Sequence, residues 1–169
     1  LTEYAKLEGI PLKEEIKAQS KANYDTVKKQ YIYAGKFDVE KDDIQETPLI
    51  EDSEIIGLNL KTSELEISQS GRKKIEHLKP NMKFGTQFVL CVNGKPSLTG
   101  YFRSNISSYI FNWNYIGYNY YDNDFETQSD KKFVILKNVG YEKWLPVRSN
   151  LGEYPTLISA FKKSKRLIN

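Results

Sequence analysis

Few side chains in this sequence could support catalysis or metal binding. His77 is the one histidine and Cys91 the one cysteine among the 169 residues. A metal centre or a nucleophile–base pair needs at least two such groups held together. His77 stands among lysines, which indicates a solvated or helix-capping histidine. Cys91 stands between Leu90 and Val92, which is typical of a buried thiol. The sequence therefore predicts no catalytic residue, no metal ligand and no cofactor.

Other kinds of reactive site have weak support. Gly94 and Gly100 lie outside any G-x-G-x-x-G or P-loop pattern, so no phosphate-binding loop is predicted. Ser107 and Ser108 follow Asn105 and could hydrogen-bond a ligand, but these residue types also favour turns for local reasons. Two carboxylates from distant positions could cleave glycosides, so a hydrolase stays open as an alternative.

The composition limits the partners. A net charge of +3, from 25 basic and 22 acidic residues, predicts no nucleic acid partner, because polyanion binding needs a concentrated basic patch. No apolar run reaches the roughly 18 residues of a transmembrane segment.

The sequence starts at Leu1 and its one methionine is Met82. We therefore expect a removed secretory or lipoprotein signal and a periplasmic or cell-surface location, with a possible lipid anchor upstream of Leu1; a fragment of a larger protein is the alternative.

Two segments precede the predicted globular part. Apolar residues recur every three or four positions over Leu12–Ala34, which predicts an amphipathic helix within an N-terminal extension, residues 1–36. Residues 37–54 carry eight carboxylates and little positive charge, which predicts a solvated acidic linker. A calcium loop is the rival interpretation, but the spacing of an EF-hand is missing.

An α+β domain is predicted over residues 55–169. Alternating residues indicate strands at 55–60 and 64–68, and Ser68 is a suitable N-cap for a helix that runs through Lys79. Asn93-Gly94 predicts a type I′ turn in a hairpin, with strands at 86–92 and 95–103. A further strand is predicted at 133–136 and a helix over Pro155–Leu167. The predicted architecture is an antiparallel sheet of about five strands, with two helices on one face and the N-terminal helix appended.

An aromatic stretch is the most distinctive feature. Tyr109, Phe111, Trp113 and Tyr115 alternate at two-residue spacing, so in a strand they line one face. After Gly117 the pattern changes register, which predicts a β-bulge. These rings could close a core, or they could stack on the sugars of a glycan. The candidate ligand-binding residues at this stretch are Trp113, Tyr118, Asn119, Tyr120, Tyr121 and Asp122.

Short motifs within residues 52–169 resemble a known class of protein. They are the strand Glu64–Ser68, the helix that opens with Gly71-Arg72, the hairpin around Asn93-Gly94-Lys95, the strand start Gly100-Tyr101-Phe102 and the pair Ser107-Ser108. This order resembles small α+β domains of bacterial envelope proteins and lipoproteins that have no assigned activity. The hairpin also resembles the periplasmic head domain of the protein-export membrane subunit. The resemblance implies a binding or accessory role and supplies no catalytic residues.

The sequence thus predicts a non-catalytic binding or accessory module of the bacterial cell envelope, with an unknown protein or glycan as its partner. One alternative is a protein–protein module of the inhibitor or immunity type, which would use the acidic linker and the end of the hairpin. Another is a carbohydrate-binding module that uses exposed aromatic rings.

Overall fold

The computed structural model describes residues 23–25, 30–32, 34–40, 43–80, 82, 85–107, 111, 113–118, 133–138 and 146–168. Their strands are β1 (Asn23–Asp25), β2 (Gln30–Ile32), β3 (Ile55–Asn59), β4 (Glu64–Ile67), β5 (Thr86–Val92), β6 (Lys95–Ser104), β7 (Asn114–Tyr118), β8 (Phe133–Val134), β9 (Leu136–Asn138), β10 (Pro146–Arg148) and β11 (Leu167–Ile168). Their α-helices are α1 (Gln69–Glu76) and α2 (Pro155–Lys163), and short 3-10 turns cover Asp52–Glu54 and Leu151–Glu153.

The main strands form two sheets. One has five strands in the order β10-β9-β7-β6-β5, and the other has four in the order β11-β3-β4-β8. The pairs β6–β7 and β11–β3 are parallel, and the other pairs within these two sheets are antiparallel. The predicted α+β class with two helices is confirmed. The prediction of a single antiparallel sheet is wrong, because the parallel pairings depend on long-range contacts that local residue patterns do not encode.

The hairpin of β5 and β6 forms around the predicted turn. Asn93 has φ 50° and Gly94 has φ 71°, the left-handed values that a type I′ turn requires. Leu90 lies opposite Leu98, but Cys91 lies opposite Pro96. The extra residue of this bulge is therefore in β6, and β5 keeps its regular alternation.

Both helices end before the predicted position, α1 by three residues and α2 by four. Ser68 caps α1 by accepting a hydrogen bond from the Gly71 amide, as predicted, but α1 stops at Glu76. Helix α2 stops at Lys163 because Lys165 has φ 58°, and the Arg166 amide donates to the Phe161 carbonyl. This arrangement is a Schellman motif, although a lysine occupies the position that usually holds glycine. Leu167 therefore lies in β11, beside β3, and not in the predicted helix.

The N-terminal part differs from the predicted helix where it is described. Most of Leu12–Ala34 lies outside the described residues, and its described part forms β1 and β2, which pair with Tyr24 opposite Tyr31. The helix prediction is wrong for these residues. Tyrosine and isoleucine favour strands. Over only a few residues, the spacing of these side chains is compatible with a helix or with a strand.

The aromatic stretch also differs from its prediction. Strand β7 begins only at Asn114, and it pairs with β6 without a change of register through the pair Ser104–Tyr118. The predicted bulge at Gly117 is therefore wrong. A Cβ at position 117 would contact the side-chain amide of Asn105, which is exposed and can move away.

Side chains pack on both faces of the five-stranded sheet. On one face Leu98, Phe102 and Ile116 pack with residues of the four-stranded sheet and of both helices, and this group forms the larger core. On the other face, which we call the outer face, Tyr101, Phe111 and Tyr115 form a smaller aromatic core. In the described part of the chain, neither helix has the length and apolar character that a bilayer-spanning segment needs.

The coil segment 34–40 covers this aromatic core. Phe37 is buried, and its ring contacts the edge of the Tyr101 ring at a centroid distance of 5.1 Å. The Tyr101 hydroxyl donates a hydrogen bond of 2.9 Å to the carbonyl of Gly35. Asp38 and Glu40 are exposed, as a solvated acidic segment would have them. The start of the predicted linker is therefore anchored on the sheet through its apolar residues, and the division into an extension, a linker and a domain stays a prediction.

Candidate functional site

Trp113 is the member of the predicted ligand-binding set whose side chain the structure describes, and it is half-buried at the rim of the aromatic core. Its indole Nε1 donates a hydrogen bond of 2.9 Å to Oγ1 of Thr99 in β6. The Thr99 hydroxyl in turn donates to the carbonyl of Phe37 over 3.4 Å. The threonine therefore links the indole to segment 34–40. This link fixes the orientation of the ring against the sheet.

Two lysine ammonium groups lie close to the Trp113 ring. The Nζ atom of Lys137 is 4.8 Å from the ring centroid, and that of Lys36 is 5.5 Å away. Both distances are within the range of a cation–π interaction. We refer to Trp113, Thr99, Lys36 and Lys137 as the Trp113 patch.

The backbone holds each lysine of the patch in place. Lys137 belongs to β9 and lies opposite Asn114, the residue that follows Trp113. Lys36 is between Gly35 and Phe37, whose carbonyl oxygens accept hydrogen bonds from Tyr101 and Thr99. The positive charge next to the indole therefore results from the fold. Lys137 is the better placed of the two, because it belongs to a paired strand.

The other predicted ligand-binding residues come later in the sequence, at the end of β7 and after it. The backbone of Tyr118 ends β7, next to Ser104 of β6. Asn119, Tyr120, Tyr121 and Asp122 lie outside the described residues. Their assignment to a ligand site stays a prediction.

Arg103 makes a second cation–π group at the end of β6. Its guanidinium carbon is 5.0 Å from the centroid of Tyr115 and 5.3 Å from that of Phe111. Its Nη2 donates a hydrogen bond of 2.8 Å to the carbonyl of Ser107. Burial lowers the pKa of Arg103, and the nearby Tyr115 partly opposes this effect. The guanidinium lies over two rings of the aromatic core and is held by the Ser107 carbonyl, so we assign Arg103 a structural role.

A buried polar network crosses the other face of β7. Asn114 is fully buried, and its Nδ2 donates to the Thr99 carbonyl over 3.0 Å and to the Tyr154 hydroxyl over 2.7 Å. Its Oδ1 accepts a hydrogen bond from the Ser149 hydroxyl. Ser63 extends the network by donating to the Ser149 carbonyl over 2.8 Å. Because these bonds join both sheets and the start of α2, the network stabilises the scaffold behind the Trp113 patch.

The residues that the sequence singled out for chemistry are placed as follows. His77 follows α1, and its Nδ1 lies 2.6 Å from the Lys73 carbonyl, which confirms the helix-capping interpretation. Cys91 is exposed, so the prediction of a buried thiol is wrong. It lies in β5, at the edge of the five-stranded sheet. Partial burial still raises the pKa of the Cys91 thiol. Ser107 is buried and donates to the Met82 carbonyl.

The structure assembles no cluster of at least three histidine, cysteine, aspartate or glutamate side chains that could hold a metal, as far as its described residues extend.

Comparisons with family models, with curated proteins and with solved structures gave no match to this chain. The interpretation of the site therefore depends on its own geometry. Sequence reasoning selected Trp113 but missed its two lysines. Lys36 and Lys137 are 101 residues apart in sequence, so no local pattern could have paired them.

Proposed function

We propose that this chain is a non-catalytic binding or accessory module of the bacterial cell envelope, and that its contact surface is the Trp113 patch. The partner is a glycan that carries carboxylate groups. The observation that carries the proposal is the pair of ammonium groups within 5.5 Å of a hydrogen-bonded, half-exposed indole.

The chemistry of the patch favours an anionic glycan over a neutral one. A sugar that stacks on the indole displaces a lysine from a cation–π position, which costs binding free energy. A carboxylate on that sugar recovers the loss, because it accepts charge-assisted hydrogen bonds from the same lysine. The indole then supplies apolar contact area beside the charge. An acidic sugar uses both features, whereas a neutral sugar competes with one of them.

Two observations support a role in binding rather than turnover. The ring of His77 is held at the end of α1, where its Nδ1 lies 2.6 Å from the Lys73 carbonyl. The raised pKa of Cys91 keeps this thiol protonated near neutral pH, and a protonated thiol is a poor nucleophile. The envelope location rests on the resemblance of the strand, helix and hairpin motifs to envelope domains.

Intrinsic fluorescence provides a direct test of the proposal. The chain has two tryptophans, so Trp144→Phe leaves Trp113 as the sole indole reporter. We expect trigalacturonate to change the Trp113 emission in a saturable way at low ionic strength. Maltotriose, which has no carboxylate, serves as the neutral control and should leave the emission unchanged. Equal responses to both sugars, or no response to either, would refute the proposal.

A protein–protein module of the inhibitor or immunity type is the second candidate. The observation in its favour is the exposure of the hairpin end, where Asn93, Gly94, Lys95 and Pro96 all face solvent. A pull-down that recovers one stoichiometric protein partner, and that fails when Asn93 and Lys95 are changed to alanine, would favour this candidate over the glycan.

A further inference from the structure

Strand β5 forms one edge of the five-stranded sheet. It is the last strand in the order β10-β9-β7-β6-β5, and among the described residues it pairs with β6 alone. It spans 7 residues, or about 23 Å of backbone. A strand edge of this length presents a row of amide and carbonyl groups that can pair with another strand.

The other edges of the five-stranded and four-stranded sheets carry features that discourage pairing. Strands β8 and β11 have 2 residues each, and β10 has 3 residues with a proline at its start and an arginine at its end. Short strands, proline and charge are the usual protections of sheet edges. The sequence of β5, Thr-Gln-Phe-Val-Leu-Cys-Val, contains no proline and no charged residue. The bulge in the hairpin lies in β6, so it does not interrupt the open edge of β5.

The outward groups of β5 follow from the hairpin geometry. Val92 and Lys95 flank the two-residue turn, so they form a hydrogen-bonded pair inside the hairpin. Backbone direction alternates along a strand, and therefore Gln87, Val89 and Cys91 direct their amide and carbonyl groups away from β6.

The residues of β5 are compatible with pairing between the β5 strands of two copies of this chain. In an antiparallel pairing centred on Val89, Gln87 lies opposite Cys91 and Phe88 lies opposite Leu90, so every pair is uncharged. Like charges opposite one another would oppose self-pairing, and none is present. A two-fold axis also matches the commonest form of homo-oligomer. We propose that two copies of this chain associate through antiparallel pairing of their β5 strands, which joins two five-stranded sheets into one continuous sheet.

Two substitutions at Val89 test this proposal. Val89→Lys places two ammonium groups next to each other at the two-fold axis. Val89→Pro removes an outward amide without removing a hydrogen bond to β6. Ile106→Lys is the control, because Ile106 is 60% exposed and lies in the turn beyond the end of β6, outside the proposed β5–β5 pairing. Light scattering coupled to size-exclusion chromatography gives the mass of each protein, and circular dichroism checks that each is folded.

We expect wild type and Ile106→Lys to be dimers at 100 µM, and both Val89 variants to be folded monomers. Lysine at position 89 should raise the dissociation constant of the dimer by roughly 100-fold, because like charges then meet across the axis. A monomeric wild-type chain at this concentration would overturn the proposal. A dimer that persists in a folded Val89 variant would overturn it as well.

Discussion

The hydroxyl of Tyr101 donates a hydrogen bond of 2.9 Å to the carbonyl oxygen of Gly35, 66 residues earlier in the chain. Tyr101 is fully buried in the interior strand β6, so this bond anchors segment 34–40 over the aromatic core. Lys36 belongs to that segment. The position of one of the two charges in the Trp113 patch therefore depends on a buried tyrosine.

The first prediction concerns stability at alkaline pH. Burial raises the pKa of Tyr101 from its ordinary value near 10 to about 12. The folded state therefore favours the neutral phenol more than the unfolded state does. Its contribution to stability is complete below pH 10 and is lost as the pH rises from 10 to 12. A shift of this size corresponds to roughly 3 kcal/mol.

Tyr101→Phe isolates this contribution from the titration of other groups. Urea denaturation of both proteins between pH 8 and pH 12 should show that wild type loses more stability than the variant above pH 10. At pH 8 the variant should already be less stable by about 1 kcal/mol, because it lacks the hydrogen bond to Gly35. Parallel pH profiles of the two proteins would contradict the burial of this hydroxyl.

The second prediction compares two glycines that share one backbone conformation. Gly85 has φ 65° and Gly94 has φ 71°, so alanine is strained at either position. They differ in the space around them: a Cβ at position 85 would lie 2.5 Å from the Phe102 carbonyl oxygen, whereas a Cβ at position 94 meets no atom within 4 Å. We expect Gly85→Ala to cost at least about 2 kcal/mol more than Gly94→Ala in chemical denaturation. Similar losses of stability for the two substitutions would contradict the close approach of Gly85 to β6.

The third prediction concerns the buried polar network. Asn114→Ala leaves the Ser149 hydroxyl and the Thr99 carbonyl without their amide partner. We expect a loss of about 3 kcal/mol of unfolding free energy, because buried polar groups that lose a partner retain their desolvation cost. Asn150→Ala is the matched control: Asn150 is exposed and caps a single turn, so its loss should cost about 1 kcal/mol. Equal costs for the two substitutions would place Asn114 outside the network.

Local chemistry explains which parts of the fold could be predicted from the sequence. The turn at Asn93-Gly94 and the cap at Ser68 depend on neighbouring residues, and both formed as predicted. The parallel pairing of β6 with β7 depends on side chains that pack on both faces of the sheet, and no local pattern reports it. The end of α2 was missed because Lys165 adopts a conformation that usually signals glycine.

The candidate site was predictable to a smaller extent. The alternation of Phe111, Trp113 and Tyr115 correctly placed these residues together at the aromatic core. Their partners come from segment 34–40 and from β9, which tertiary packing alone brings to the indole. Charge next to an aromatic ring is therefore a property of the folded chain, not of any window of the sequence.

The most direct test of the proposed contact surface compares two variants that lose the same charge at different places in the protein. Lys36→Gln/Lys137→Gln removes two positive charges from the Trp113 patch. Lys162→Gln/Lys163→Gln removes two from the exposed end of α2 and keeps the same net charge as the first variant. Isothermal titration calorimetry with trigalacturonate measures the dissociation constant of each protein. We expect the first variant to bind at least about tenfold more weakly than wild type, and the second to bind as wild type does. An equal loss of affinity in both variants, or no loss in either, would contradict the Trp113 patch as the binding surface.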